Sequence, residues 1–379
     1  MMNEKNILIA GGGTGGHLYP AVAIIEHIRD YYPGTSMTFI GSGRGSGRRL
    51  ITAMGIEFHA VRGRGLAGGG SLLRKTAVYL MFLLELIPGF FKSLSIIRKK
   101  NIDAVLGMGG YICAPVLLAA IVSRTGFALH EQNYIPGRLN RLFSRRASYF
   151  FSSFRDTEKY LGKGRVNIIF SGNPVRKSIK NSAKLAPDYK KWGLAPGKFT
   201  ITAFGGSQGA ERINSSLLEL TAMKDGEDSI QVLLITGTRF YEHVAAAVRG
   251  MDPGGRIDIR VYPFIDDIEK VYRVTDLVIA RAGANTIFET AAAGIPSILI
   301  PYPFAIDDHQ TYNARYMQKQ GRSILIEEKD LKPGLLENKI KYLLKGERKV
   351  YNKMRDCCQD ITNMDSSAII CNKLMEDVC

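Results

Sequence analysis

Cysteine is scarce in this chain of 379 residues: five thiols, at Cys113, Cys357, Cys358, Cys371 and Cys379. The number is odd, neighbouring cysteines rarely bridge each other, and no spacing is that of a metal cage. The expectation is free thiols in a reducing cytoplasm, with neither a disulfide framework nor a zinc site. No secretory leader is expected either, since the first apolar run, Ile7–Ala10, is only four residues long before glycine intervenes. Nor does the segment Ala77–Phe91 supply a membrane span. It is 15 residues long, contains Glu85 and is interrupted by Pro88-Gly89, whereas spanning takes roughly 20 apolar residues. No low-complexity tract occurs, and a composition of 45% hydrophobic and 23% charged residues is that of a globular protein. Aromatic residues do not interleave with the basic ones, which argues against a nucleic-acid surface despite a net charge of +16.

Acidic residues are sparse in one half only. Residues 1–180 carry 25 lysines and arginines against 9 aspartates and glutamates, while residues 181–379 carry 26 of each. The excess therefore points to an anionic partner for the first half alone. Cationic residues flank the apolar segment: Arg74 and Lys75 before it, Arg98, Lys99 and Lys100 after it. That pattern suits a segment lying on an anionic membrane surface, with Phe82, Phe90 or Phe91 dipping in and Arg138, Arg141, Arg145 and Arg146 nearby. A pair of buried core helices is the competing reading.

What the chain has in abundance is glycine, with 40 residues, and it is concentrated where strands end. Ile7–Ala10 runs into Gly11-Gly-Gly-Thr-Gly-Gly-His17 and a helix; 194 residues later Phe199–Phe204 runs into Gly205-Gly-Ser-Gln-Gly-Ala210 and another helix. Such a unit places bare backbone amides at a helix N-terminus, where an anion is favoured. Alternating apolar strands and helices in both halves imply an α/β protein with two doubly wound domains, parallel sheets and one ligand cleft. A break is expected near Gly172, giving domains 1–172 and 173–357, with a last helix about 358–379 folding back on the first.

A dinucleotide-binding unit would need an acidic residue at the end of the second strand, but Met37–Ile40 ends in Gly41-Ser-Gly-Arg44. The first loop offers His17 instead, a residue type suited to taking a proton from a hydroxyl. His130-Glu-Gln-Asn133 ends another strand of the same half. In the second half, Glu289 can accept two vicinal hydroxyls, and the segment Asp307-Asp-His-Gln310 suits sugar hydroxyls. Asp307-Asp308 and Asp266-Asp267 are read as caps of the helices that follow, not as metal ligands.

The segments GGGTGGHLYPA, VLGMGGYICAP, HEQNYIPGRLNR, SGNPVR, FGGSQGAERIN, FIDDI, RAGANTIFETAAAGIPSILIPYP and DDHQTYNA occur in this order between residues 11 and 314. Together they resemble the bacterial MurG family, N-acetylglucosaminyltransferases that convert lipid I to lipid II. The resemblance implies a GT-B fold, with two Rossmann-like domains facing across a cleft, the acceptor domain first. It implies UDP-GlcNAc and lipid I as substrates, no cofactor bound by the protein, and a peripheral place on the cytoplasmic face of the membrane, where a cell-wall synthesis complex is a further partner. A related GT-B enzyme with a different lipid or small-molecule acceptor is the alternative. Carried over by position, Phe264 and Ile265 meet the uracil and Glu289 the ribose. Thr14, Gly15, Gly16, Arg176, Ser207, Gln208 and Gly209 border the diphosphate, and His309 and Gln310 face the sugar. His17, Tyr111 and Asn133 line the acceptor side, with His17 as the base and Asn133 also meeting UDP-GlcNAc. The loop Gly41–Gly47 lacks the glutamate that family members commonly carry there.

Overall fold

Apolar runs that end in glycine or in a polar cluster become the strands of two parallel sheets. The computed structural model describes residues 4–12, 15–43, 47–62, 72–162, 164, 166–206, 209–222, 230–251, 257–359 and 364–378, with backbone only for 72–83, 221, 222 and 359. Two units divide it: unit 1 comprises Met1–Arg176 and Met364–Cys379, and unit 2 comprises Lys177–Asn363.

Unit 1 runs β1 (Asn6–Ala10), α1 (Gly15–Tyr31), β2 (Ser36–Gly41), α2 (Gly47–Ala53), β3 (Glu57–Ala60), α3 (Leu72–Lys99), β4 (Ala104–Gly107), α4 (Cys113–Ser123), β5 (Gly126–Glu131), α5 (Arg138–Phe143), β6 (Tyr149–Ser152) and β7 (Ile168–Phe170). The sheet order is β3-β2-β1-β4-β5-β6-β7, every pairing parallel. Chain direction across the sheet therefore reverses between β1 and β4, the crevice where doubly wound proteins bind ligands.

Unit 2 repeats the plan. It runs α6 (Lys177–Lys180), β8 (Phe199–Phe204), α7 (Glu211–Leu218), β9 (Ile230–Ile235), α8 (Tyr241–Arg249), β10 (Asp258–Tyr262), α9 (Ile268–Tyr272), β11 (Leu277–Ala280), α10 (Ala284–Ala292), β12 (Ser297–Leu299), α11 (His309–Lys319), β13 (Ser323–Leu325) and α12 (Leu335–Gln359). Its order is β10-β9-β8-β11-β12-β13, again all parallel, with the switch point between β8 and β11. Helix α12 is two helical stretches joined through Lys345–Arg348, where Gly346, Glu347 and Arg348 take left-handed backbone angles.

The central strands are apolar on both faces because helices cover both. In unit 1, Ile7 and Ile9 of β1 pack on one side with Ile24, Ile25 and Ile28 of α1, while Leu8 packs on the other with Val116 and Leu117 of α4. In unit 2, Ile201, Ile279 and Ile298 share a core with Leu217 of α7 and Ile340 of α12. The last helix, α13 (Ser366–Lys373), has its N-terminus capped by the Asp365 carboxylate, which accepts from Ala368 N at 3.2 Å. It runs on into a π turn at Leu374–Val378, and both belong to the core of unit 1 through Ile370, Cys371, Leu374 and Val378. Because this segment carries Asp365, Glu376 and Asp377 against Lys373, and because Lys177 and Lys180 fall in unit 2, the charge divides by unit differently than by half: unit 1 has an excess of 12 positive charges and unit 2 an excess of 4.

The apolar segment differs from expectation. Pro88-Gly89 does not interrupt it, and α3 is one helix of 28 residues passing through both. Proline removes one backbone donor, yet α3 continues, and Ser93 Oγ donates to Gly89 O at 2.7 Å one turn further on. Gly89 is a notch for close packing: a Cβ there would lie 2.7 Å from Val61 Cγ1 and 3.2 Å from Pro115 Cβ of α4. From Leu84 onward one stripe of α3 faces out, with Leu84, Ile87 and Phe91 61%, 54% and 62% exposed. Phe90 instead turns toward the core beside α4, edge-on to Phe91. The side chains of Arg74, Lys75 and Phe82 lie outside the described residues.

Candidate functional site

Three adjacent strands of unit 1, β1, β4 and β5, deliver polar groups to the same edge of the sheet. After β1 comes the first glycine loop, whose Gly13 and Thr14 lie outside the described residues; Gly15 and Gly16 open α1 and are exposed. His17, in the first turn of α1, is half-buried. Its ring lies against Gly109 and Gly110, which follow β4 with φ of +93° and +80°. A Cβ at Gly109 would lie 3.2 Å from His17 Nδ1, and one at Gly110 would lie 3.4 Å from Nε2. Only glycine combines that backbone with that approach.

His17 Nδ1 lies 2.9 Å from Oε1 of Gln132, at the end of β5. The Gln132 amide nitrogen donates to Met108 O at 2.8 Å and sits 3.0 Å from His130 Nδ1. On its other side His130 Nε2 faces Gly172 O at 3.3 Å. His130 is fully buried, and desolvation pushes its pKa down to about 4, so the ring is neutral. Buried Glu131 organises the loop beyond β5: its carboxylate accepts from Asn133 N at 3.0 Å, Gly137 N at 2.9 Å and Asn140 Nδ2 at 2.8 Å. Asn133 is thereby tied to Glu131, and half-buried Tyr111 follows Gly110 in the turn before α4. Cys113, at the start of α4, donates to Ala10 O and Gly109 O; burial pushes its thiol up to about 12, so it is no nucleophile. Arg176 stacks its guanidinium 4.3 Å over the Tyr19 ring of α1. In the loop after β2, residues 44–46 lie outside the described residues.

Unit 2 presents its groups from the equivalent strands, β8, β11 and β12. The second glycine loop joins β8 to α7; Ser207 and Gln208 lie outside the described residues. Gly209, at φ +75°, comes so close to the end of β9 that a Cβ would lie 2.1 Å from Thr236 O. After β11, Arg281 donates to Ile300 O and Pro301 O and pairs with Glu328, which ties down the end of β12. Glu289 is buried in the second turn of α10. Beyond β12, His309 Nδ1 donates to Ile306 O at 2.7 Å, and Tyr302 N donates to Gln310 Oε1 at 3.0 Å. This arrangement leaves His309 Nε2 as an acceptor and the Gln310 amide as a donor, a pairing suited to vicinal hydroxyls. Phe264 is half exposed at the edge after β10, and Ile265 packs against the cluster containing Trp192.

Asp267 and Asp308 stand at the N-caps of α9 and α11, but neither side chain accepts from the helix backbone as expected. Asp267 is held down to about 2 by Lys270 and Lys191, at 2.6 and 3.1 Å. Asp307 and Asp308 both take left-handed angles, with φ of 51° and 52°, and Asp308 accepts from the Thr311 hydroxyl at 2.6 Å. Among the described residues no group of three histidines, cysteines, aspartates or glutamates is placed to hold a metal.

The contribution of Gln132 and Glu131 is visible only in three dimensions. Their sequence signal was the run His130–Asn133 at a strand end, from which only Asn133 was singled out.

Comparison with known proteins identifies the family and the fold. Residues 7–152 match the glycosyltransferase family 28 N-terminal domain and residues 200–366 the glycosyltransferase family 28 C-terminal domain. The chain is 37% identical over 360 residues to the UDP-N-acetylglucosamine--N-acetylmuramyl-(pentapeptide) pyrophosphoryl-undecaprenol N-acetylglucosamine transferase of Caldanaerobacter subterraneus, covering 95% of this chain and 96% of the relative. The protein of the same name from Geobacter metallireducens is 35% identical, with 97% and 98% covered. Among solved structures, MurG of Acinetobacter baumannii superposes with a TM-score of 0.74 at 25% identity, covering 97% of this chain and 98% of that one. The calicheamicin glycosyltransferase CalG4, at 13% identity and a TM-score of 0.70 with 98% of each chain covered, shares the fold alone.

Proposed function

The chain belongs to the MurG family, and from that premise we propose that it transfers N-acetylglucosamine from UDP-N-acetylglucosamine to the muramoyl 4-hydroxyl of lipid I, the undecaprenyl-diphospho-muramoylpentapeptide, giving lipid II. The reaction is a single displacement with inversion. The acceptor oxygen forms a bond to C1 of the sugar, the bond from C1 to the diphosphate breaks, UDP leaves, and the hydroxyl proton goes to His17 Nε2. Positive charge grows on the sugar ring in the transition state, as in glycosidases, and negative charge grows on the leaving diphosphate.

The observation that carries this reading is the setting of His17. Its Nδ1 is engaged by Gln132, and no described residue hydrogen-bonds Nε2. In unit 2, Glu289 takes the ribose hydroxyls, Phe264 and Ile265 the uracil, and His309 and Gln310 the sugar hydroxyls. Ser207, Gln208 and Gly209 with the α7 N-terminus receive the diphosphate. Thr14, Gly15, Gly16 and Arg176 supply polar and cationic groups from unit 1, and Tyr111 and Asn133 contact the acceptor. Backbone amides and an arginine suffice for the charge, so no protein-bound metal or other cofactor is assigned. Unchanged turnover after chelator treatment is the expected check.

No helix among the described residues is long and apolar enough to cross a membrane. We assign the protein to the cytoplasmic face of the cell membrane, held peripherally through the exposed stripe Leu84, Ile87 and Phe91 and the basic residues of unit 1, within reach of a cell-wall synthesis complex.

The experiment is transfer of labelled N-acetylglucosamine from UDP-N-acetylglucosamine to a lipid I analogue, with UDP-N-acetylgalactosamine as control and a panel of other lipid acceptors. Transfer to the lipid I analogue alone is expected, and preference for another acceptor sinks the assignment. Replacing His17 by alanine is expected to lower kcat at least a hundredfold, in the range of one acid–base residue, with the KM for UDP-N-acetylglucosamine kept. A loss below tenfold gives the base role to another group.

A further inference from the structure

We propose that Gln132 is a positioning residue that holds His17 in the one neutral form able to act as a base. A neutral imidazole carries one proton, and its other nitrogen accepts. Which nitrogen carries the proton depends on the partner of each.

The Gln132 side chain is buried, and its orientation is dictated from two sides. Met108 O, 2.8 Å from the amide nitrogen, is a backbone carbonyl and can only accept. His130 Nδ1, 3.0 Å from the same nitrogen, takes the second amide proton, because His130 Nε2 donates to Gly172 O. Turning the amide over would set oxygen against the Met108 carbonyl and leave buried groups unpaired, a costly exchange. The amide oxygen therefore faces His17 Nδ1 at 2.9 Å, and an amide oxygen has no proton to give. His17 must carry its proton on Nδ1, which leaves the Nε2 lone pair for a substrate hydroxyl.

The same geometry decides where an abstracted proton goes. An amide does not relay protons as a carboxyl or a water does, so the proton taken on Nε2 stays on His17 until it leaves from Nε2. His130 does not receive it: that ring is buried, and a protonated His17 disfavours its protonation further. The other titratable groups on the neighbouring strand ends are Glu131, whose carboxylate is engaged by Asn133, Gly137 and Asn140, the phenol of Tyr111 in the turn before α4, and the buried Cys113 thiol.

This inference rests on the reading of His17 as the base, and the test separates the two. Long-range proton–nitrogen correlation spectra of 15N-histidine-labelled protein report the tautomer of each of the six histidines, with His17 assigned by its loss in His17→Gln. In the unmodified protein His17 is expected as the Nδ1–H form. Gln132→Met, close in size but without donor or acceptor, is expected to shift it toward the Nε2–H form. Its kcat should fall about tenfold to a hundredfold, short of the roughly 10²–10⁴-fold that losing an acid–base group outright costs, with the KM for UDP-N-acetylglucosamine within about twofold. An Nε2–H tautomer in the unmodified protein overturns the proposal without recourse to any variant. So does a Gln132→Met spectrum in which His17 keeps Nδ1–H. If His17→Gln retains full turnover, the base assignment falls, while the spectra still decide what Gln132 holds.

Discussion

At Glu131 one buried carboxylate satisfies two backbone amides and an asparagine side chain, and so sets the loop that carries Asn133. Glu131→Ala strands those donors in a dry site, at about 1–3 kcal/mol for each left unpaired. The expected result is a loss of several kcal/mol in unit 1 by denaturant titration; a change within about 0.5 kcal/mol, the range of surface substitutions, would refute the role. His130 gives a pH signature. Its pKa is about 4 in the folded protein, against about 6.5 in an unfolded chain. Between those values only the unfolded state binds the proton, so its contribution is complete above about pH 6.5 and is lost as pH falls toward 4, by about 3 kcal/mol in all. Stability curves of the native protein and His130→Gln over that window should converge on the acid side, and parallel curves would remove the assignment. Little of this was legible beforehand. His17 and Asn133 stood out because a histidine in a glycine loop and an amide at a strand end are conspicuous. Gln132 became visible only when the fold brought it within 2.9 Å of a residue 115 positions earlier.

Among the elements, the sheets were the most legible, because buried parallel strands are short apolar runs ended by glycine or polar residues; Phe199–Phe204 matches the expected strand residue for residue. Helix α3 was not. Local chemistry at Pro88-Gly89 argued for a break, and tertiary packing overrode it, since Gly89 lets α3 meet Val61 and Pro115. Gly89→Leu should therefore cost unit 1 about 1–3 kcal/mol through overpacking, although leucine is the better helix former by about 1 kcal/mol. A neutral or stabilising result in thermal unfolding would show that the contact gives way. Phe91→Glu, on the outward stripe, should leave stability within about 0.5 kcal/mol while weakening binding to vesicles of anionic lipid. Binding unaffected both by this change and by salt would exclude α3 as the membrane contact. Asp267 and Asp308 failed as caps for different reasons: lysines on two elements claim Asp267, and left-handed backbone turns Asp308 toward Thr311.

For the molecule as a whole, the repeat at 194 residues marks two sheets of one topology, and each glycine loop sits at a switch point. What the repeat did not reveal is that unit 1 is discontinuous. Ile370, Cys371, Leu374 and Val378 complete its core, and a Cβ at Gly126 would lie 2.6 Å from Val378 O. Burying such side chains contributes about 1.5–3 kcal/mol for each of the larger ones, a sum comparable with the whole stability of a domain. Removing residues 364–379 should unfold unit 1 and leave unit 2 with its own transition in calorimetry; two unchanged transitions would refute this. The arrangement also orders events during synthesis. Translation proceeds from the N-terminus, so the stretch 177–363 is made, and most of it emerges, ahead of the last piece of unit 1. The half first out of the exit tunnel must wait with an apolar flank open, a natural client for a chaperone, while the half made later is free to finish first.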